Sequence, residues 1–416
     1  MRKVLRIGSK RKSKSKTPEK VTPEEFNTKM EMIQALIPIG LMAVAEQLEE
    51  EVVRLAGERY SRQGGLPGHY RWGSQPTSIY LSEQKVRIGV TRVRNSLKNE
   101  EVPLETCQAL KSPRKADEGL LRKILLGLSC RNYESCVEVV PQTFGLSSST
   151  VSRRFIQASS RKLKEVMERD LSAYDFVALF IDGKSFAEDE MIIALGVTME
   201  GEKIPLGFVQ AGSENERVVK EFLNTLLDRG LRIDEGILCI IDGAKGLHSA
   251  IRKVFSDKAL VQRCQWHKRE NVVSYLPKSQ QPVWRRKLQR AYEKPTYEEA
   301  RTALNRLKNE LKLLNESALA SLQEGFEETL TLHRLGLFLQ LGISMKTTNC
   351  IESVMSLMDQ YTNKVDCWKN SSQKHRWIAS ALLEIEPRLR RIKGYRYLPA
   401  LRNALKQHLH LMKEAA

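Results

Sequence analysis

The chain has 416 residues, 41% hydrophobic and 28% charged, which is length enough for two or three domains with a sizeable core. Its formal net charge of +18 favours a polyanionic partner, DNA above others. No apolar run reaches the about 20 residues that span a bilayer, and the basic start lacks the apolar stretch of a secretory leader. Seven cysteines form no CxxC pair, so free thiols in a reducing cytoplasm are expected, with the protein near the nucleoid and no membrane involvement.

Residues 1–20 hold nine Lys or Arg and one acid, a run expected to be a disordered basic arm. Residues 21–115 are read as a helix followed by a small basic β-ribbon. Over 21–62, Leu41, Val44, Leu48, Val52 and Leu55 recur at helical spacing, and the helix from Leu41 to Leu55 is a candidate contact for a second copy of the chain. Gly64-Gly65-Leu66-Pro67-Gly68 then breaks the pattern. Residues 77–94 read as two strands, with Lys85, Arg87, Arg92 and Arg94 set either for a phosphate backbone or for solvent.

Residues 116–170 read as three helices with a Gly145-Leu146 turn before the third, a helix-turn-helix. Ser147 or Ser148 can cap that third helix. Ser148, Ser149, Thr150, Ser152, Arg153 and Arg154 give its first turns the short hydroxyls and guanidiniums that meet base edges and phosphates. An ordinary helical bundle is the alternative.

From 171 to 268 the pattern turns α/β. Strands are predicted at 176–181, 191–199, 203–211, 237–241 and 259–263, with helices at 215–231 and 247–255. Residues 269–340 read as an α-helical insertion, with helices at 284–292, 297–314 and 316–330. A helix carrying Glu352 lies in 341–370, and 371–416 is a basic helical tail broken at Gly394-Tyr395. Three antiparallel strands, a crossover helix, a strand, a helix and a strand follow the ribonuclease-H-like order. The fold class expected is therefore α/β, a ribonuclease-H-like mixed sheet with a helical insertion, preceded by the helix-turn-helix region.

Two strand ends carry the chemistry. Leu179-Phe180-Ile181-Asp182-Gly183 and Ile240-Ile241-Asp242-Gly243 each close an aliphatic run on a carboxylate. Asp is depleted in strands, and a buried acid is costly unless something compensates its charge. A divalent cation shared by Asp182, Asp242 and Glu352 would do so. Mg²⁺ takes hard oxygen ligands and suits phosphodiester chemistry, with Mn²⁺ able to stand in. An Asp-Gly hairpin turn, a loop-starting Asp and a plain polar helix face are the bland readings of the three.

Asp242-Gly243-Ala244-Lys245-Gly246-Leu247, then Gln262-Arg263-Cys264-Gln265-Trp266-His267-Lys268, resembles the signature of the bacterial mutator-type DDE transposases. Thr347-Thr348-Asn349-Cys350-Ile351-Glu352-Ser353 resembles the block around that family's third acid. The resemblance covers about residues 117–400. It implies a catalytic triad of Asp182, Asp242 and Glu352, at intervals of 60 (242 minus 182) and 110 (352 minus 242). It also implies binding of terminal inverted repeats and of target DNA, strand cleavage followed by 3′-hydroxyl transfer, and a homodimer or larger assembly on DNA. Cys264-x-x-His267 has half the spacing of a zinc site and no second pair nearby. It is expected to pin the fifth strand to the insertion, with Trp266 packing beside it and base stacking as the other reading. A nuclease or resolvase that cuts without joining, and a non-catalytic DNA-binding regulator, are the alternatives.

Overall fold

A computed structural model of the protein describes residues 23–61, 65–81, 84–111, 114–130, 148–211 and 216–414. The basic arm, the second helix of the expected helix-turn-helix and its Gly145-Leu146 turn lie outside the described residues. The chain divides into two compact units, residues 1–116 with 133–147, and residues 117–132 with 148–416.

The smaller unit holds α1 (Pro23–Ala56), β1 (His69–Leu81), β2 (Gln84–Asn95), β3 (Glu100–Val102) and α2 (Glu105–Lys111). The strands pair antiparallel in the order β1-β2-β3. The apolar stripe of α1 is spent inside this unit. Leu48 and Val52 are buried with Val90, Val93, Leu104 and Cys107, and Val44 and Leu55 pack against them. From Val44 to Leu55 the stripe is therefore turned to this unit's own core. The helix also stops at Ala56, earlier than residue 62, because Gly57 follows and the Leu66 amide donates to the Leu55 carbonyl. β1 begins eight residues before the predicted start at 77 (77 minus 69), running through Gly73 and Pro76 by way of a register shift between Arg71 and Ser74. The buried Glu51 carboxylate accepts from the Glu105 and Thr106 amides at 2.6 and 3.1 Å, which satisfies the head of α2.

The larger unit opens with α3 (Arg114–Leu125) and α4 (Ser148–Met167). Its sheet comprises β4 (Phe176–Phe186), β5 (Asp189–Thr198), β6 (Lys203–Ala211), β7 (Ile237–Ile241) and β8 (Ala259–Arg263). Their order is β6-β5-β4-β7-β8, antiparallel among the first three and parallel from β4 to β8. Helices α5 (Glu216–Asp228) and α6 (Lys245–Phe255) cover one face. Leu179 and Ile181 of β4, Cys239 and Ile241 of β7, and Val261 of β8 cluster there with Phe222, Leu226, Ile251 and Phe255. Side chains alternate along a strand, so Phe180 and Asp182, Ile240 and, one residue past the strand end, Asp242 belong to the opposite face.

After β8 come α7 (Gln265–Ser274), α8 (Gln281–Tyr292), α9 (Tyr297–Lys312), α10 (Glu316–Gln323), α11 (Phe326–Thr329), α12 (Thr331–Arg334), α13 (Phe338–Met345) and α14 (Asn349–Thr362). Trp284, Leu288, Leu304, Leu311 and Leu322 form a second core among α7 to α10. The helix expected over 316–330 is instead interrupted. Gly325 sits at φ +62°, a left-handed conformation, with the Arg263 guanidinium where a Cβ would lie. The segment after it returns to the sheet. The Thr331 hydroxyl donates to the Val261 carbonyl at 2.6 Å, and the Leu332 amide donates to the Gln262 side chain at 2.9 Å.

Two tail helices, α15 (Ser371–Ile385) and α16 (Leu398–Glu414), finish the unit. Trp377 of α15 packs against Phe155 of α4 with ring centroids 5.3 Å apart. Arg402 of α16 is buried at the start of the sheet, donating to the Phe176 and Gly236 carbonyls and to Asp175. Among the described residues no helix is long and apolar enough to cross a membrane, and Cys107, Cys130, Cys239, Cys264, Cys350 and Cys367 are free thiols.

Candidate functional site

The parallel pairing of β4 with β7 sets Ile181 opposite Ile241. Each is followed by its aspartate, so Asp182 and Asp242 occupy neighbouring strands, which lie about 4.8 Å apart. The pairing of β7 with β8 sets Ile241 opposite Arg263, which brings Cys264 next to Asp242 in turn. Asp182 remains within β4, paired with Ile193, and its carboxylate is buried. The Asp-Gly here is not a hairpin turn; that turn falls at Ala187-Glu188, between Phe186 and Asp189. The Gly183 amide donates to Asp182 Oδ1 at 3.0 Å. Asp242 leaves its strand and accepts from the Ala244 amide at 2.9 Å across Gly243, whose φ of +110° lets the chain turn away at once.

Glu352 arrives from the other side, on the first turn of α14. This helix packs across β4, fastened by Lys184 Nζ to Asp359 at 2.6 Å. Thr348, fully buried just before the helix, donates its hydroxyl to Glu352 Oε1 at 2.5 Å. The same hydroxyl lies 3.3 Å from His267 Nδ1 and 3.5 Å from Cys264 Sγ, and the Thr348 amide donates to that sulfur. Cys264-x-x-His267 therefore pins the end of β8 to the head of the Glu352 helix rather than to the helical insertion. Thr348 is the residue that sequence reasoning missed. A threonine one helical turn ahead of an acid was the available signal, but it reads equally as a cap.

The electrostatics follow from this crowding. Burial, then the charges of Asp242 and Glu352, push the Asp182 carboxyl up to about 7, against the opposing pull of His267. Its hydrogen bond with Cys264, then the thiolate, Asp182 and Asp242, raise the His267 imidazole to about 9 despite burial. Burial alone would push the Cys264 thiol up, and the His267 and Thr348 hydrogen bonds outweigh it and lower it. The three acids thus share one electrostatic neighbourhood that favours added positive charge. Among the described residues, no group of three or more His, Cys, Asp or Glu side chains is arranged to hold a metal ion as the side chains stand. Carboxylate oxygens are the donor type that a hard divalent cation takes.

Behind the acids is a layer of paired charge. Arg263 is buried, donates to Glu328 at 2.8 Å and lies 3.8 Å from Glu324. Glu328 also takes His248 Nε2 at 2.6 Å, and Lys268 donates to the Ser321 carbonyl at 2.8 Å. These contacts fix α6, α7 and the Gly325 segment around the strand ends. The polar pair at the end of β8, Gln262 and Arg263, is an anchor for the insertion.

The first turns of α4 stand apart from the acids in sequence and face outward. Ser148, Ser149 and Arg153 are exposed, Thr150, Ser152 and Arg154 half-buried, and Arg153 donates back to the Ser149 carbonyl at 3.4 Å. Val151, Phe155, Ala158 and Val166 form the buried stripe. Trp266 is 46% exposed, and its ring meets that of His267 in a T-shaped arrangement with centroids 4.9 Å apart.

A mixed α/β unit with acids gathered at parallel strand ends, on a strongly basic chain, is of the kind that handles nucleic acid. The chain belongs to the Mutator family of transposases, whose family model matches residues 10–388. It is similar to the transposase for insertion sequence element IS256 in transposon Tn4001 of Staphylococcus aureus, 28% identical over 280 residues, 64% of this chain and 69% of that protein. The transposase for IS905 of Lactococcus lactis is 26% identical over 348 residues, 81% of this chain and 85% of its own. That for ISRM5 of Rhizobium meliloti is 24% identical over 384 residues, 90% and 92% of the two chains.

Proposed function

We propose that the protein moves an insertion sequence by binding its terminal inverted repeats and carrying out Mg²⁺-dependent strand cleavage and 3′-hydroxyl transfer through Asp182, Asp242 and Glu352. The observation that carries this reading is the register Ile181 to Ile241, which brings Asp182 and Asp242 together on one sheet face while α14 delivers Glu352 to the same neighbourhood. The sheet order β6-β5-β4-β7-β8 supports a ribonuclease-H-like core interrupted by the helical insertion.

Asp182, which feels the charges of both Asp242 and Glu352, would hold the metal together with them. When bound, Mg²⁺ supplies charge neutralisation at the phosphodiester and a water or hydroxyl of lowered pKa. The protein's own part is to hold three carboxylates in place. Backbone amides fix Asp182 and Asp242, and the Thr348 hydroxyl fixes Glu352. The exposed hydroxyls and arginine at the start of α4 are placed to read the repeat, with the basic ribbon and arm adding phosphate contacts. Two ends must meet, so the active species is at least a dimer on DNA, in the bacterial cytoplasm at the nucleoid.

The test is supercoiled DNA bearing the element ends, incubated with Mg²⁺. Joined products are expected from the wild type, and Asp182→Asn should bind the ends while cutting nothing. A cutting Asp182→Asn variant would remove the triad assignment, and hydrolysis without joining would leave a nuclease instead.

A further inference from the structure

The helix that carries Glu352 is seated by apolar side chains and tied by polar ones. Ile351, Val354, Met355 and Met358 form the buried stripe of α14. Apolar contact is non-directional, so such a stripe resists lifting of the helix better than sliding along its axis. Two polar contacts supply the missing direction. Thr348, four residues before Glu352, meets Cys264 and His267. Asp359, seven residues after it, accepts from Lys184 Nζ at 2.6 Å. Seven residues fall about 20° short of two full turns, so Thr348, Glu352 and Asp359 lie in one row along the helix. The third acid is bracketed by the two ties.

The far end of the second tie has its own place in the site. Lys184 stands two residues past Asp182 on β4, on the same strand face and about 7 Å along it. One strand thus carries both the first acid and the hold on the helix that brings the third. Lys184 and Asp359 are only partly covered, with side-chain exposures of 20% and 32%. A pair this open to water adds little to folding stability. Its geometry, by contrast, fixes where the row of Thr348, Glu352 and Asp359 lies against Asp182.

We propose that Lys184 and Asp359 are positioning residues, whose ion pair sets the reach of Glu352 toward Asp182 and Asp242. The inference rests on the proposed triad. Without the pair, α14 keeps its apolar seat and its upper tie at Thr348. It then pivots about that tie, and Glu352 strays from the other two acids. A displacement of about 1 Å in a reacting constellation costs up to about 100-fold in rate.

The experiment uses the full chain and three readouts. Mn²⁺ alone is titrated and its binding followed by loss of the free-ion paramagnetic resonance signal. Urea unfolding is measured on the same metal-free samples, and Mg²⁺-dependent cleavage on DNA bearing the element ends. Lys184→Met and Asp359→Leu should each weaken Mn²⁺ binding about 10-fold and slow cleavage by about as much. Their urea midpoints should stay close to that of the wild type. The double variant should be no worse than the weaker single one, because the two side chains act as a unit. The proposal is overturned if Lys184→Met binds Mn²⁺ as the wild type does, if affinity and urea midpoint fall together, or if the two losses multiply in the double variant. Asp182→Asn is the control on the triad. Mn²⁺ binding unchanged in that variant removes the shared site and this proposal with it. Binding lost in Asp182→Asn but intact in Lys184→Met strikes the ion pair alone and leaves the triad standing.

Discussion

At the scale of single residues, the feature with the clearest energetic signature is Asp182. It holds its proton up to about 7, where an unfolded aspartate releases it near 3.8. Between those values the folded, metal-free protein binds more protons than the unfolded chain, so its stability falls as pH rises through that window. Melting in a chelator from about pH 4 to about pH 8 should show this decline. Asp182→Asn should flatten it, and a flat wild-type profile would argue against the crowding. Thr348 makes a second, independent prediction. Its hydroxyl orients Glu352 and touches both Cys264 and His267, so Thr348→Val should weaken metal activation by about 10- to 100-fold, the usual cost of losing a ligand's orienting partner. Titration of cleavage against Mg²⁺ reads this as a shift in midpoint, and Thr348→Ser should restore it. Asp182 and Asp242 were legible because an acid ending an aliphatic run is rare. Thr348 was not, since its importance lies in Cys264 and His267, which meet it from about 80 residues away in the chain.

At the scale of elements, the strands at Lys203–Ala211, Ile237–Ile241 and Ala259–Arg263 coincide with their apolar runs, because each is buried on both faces and bounded by turn residues. The predicted helix over 316–330 failed for the opposite reason. Amphipathic spacing continues across Gly325, and only the Arg263 side chain pressed against it explains the break. Gly325→Ala forces a left-handed residue and crowds that guanidinium, so it should cost at least about 1–2 kcal/mol, measurable by denaturant unfolding. An unchanged midpoint would mean that the turn is not required. The early strand β1 was equally hidden, since Gly73 and Pro76 read as punctuation and are carried through the ladder by a bulge. Which strands neighbour which is not written in any local pattern. The expectation of a mixed sheet rested on the order of elements, and the sheet is mixed, with strands in the order β6-β5-β4-β7-β8.

For the whole molecule, the net charge of +18 sets how DNA binding responds to salt. Each phosphate contact released should change the slope of log affinity against log salt by about 0.9. Arg153→Gln removes an exposed cation at the head of α4, so it should flatten the slope by about one contact, and an unaltered slope would place the phosphate contacts elsewhere.

Arg402 bears on how the protein is made. Its guanidinium clasps the Phe176 and Gly236 carbonyls at the opening of two central strands, so a segment synthesised late fastens strands synthesised long before. Glu352 likewise follows Asp182 by 170 residues (352 minus 182). A nascent chain on the ribosome therefore owns both aspartates well before it owns a finished centre. On the proposed triad, a centre made of all three acids can assemble only after α14 has emerged and packed across β4.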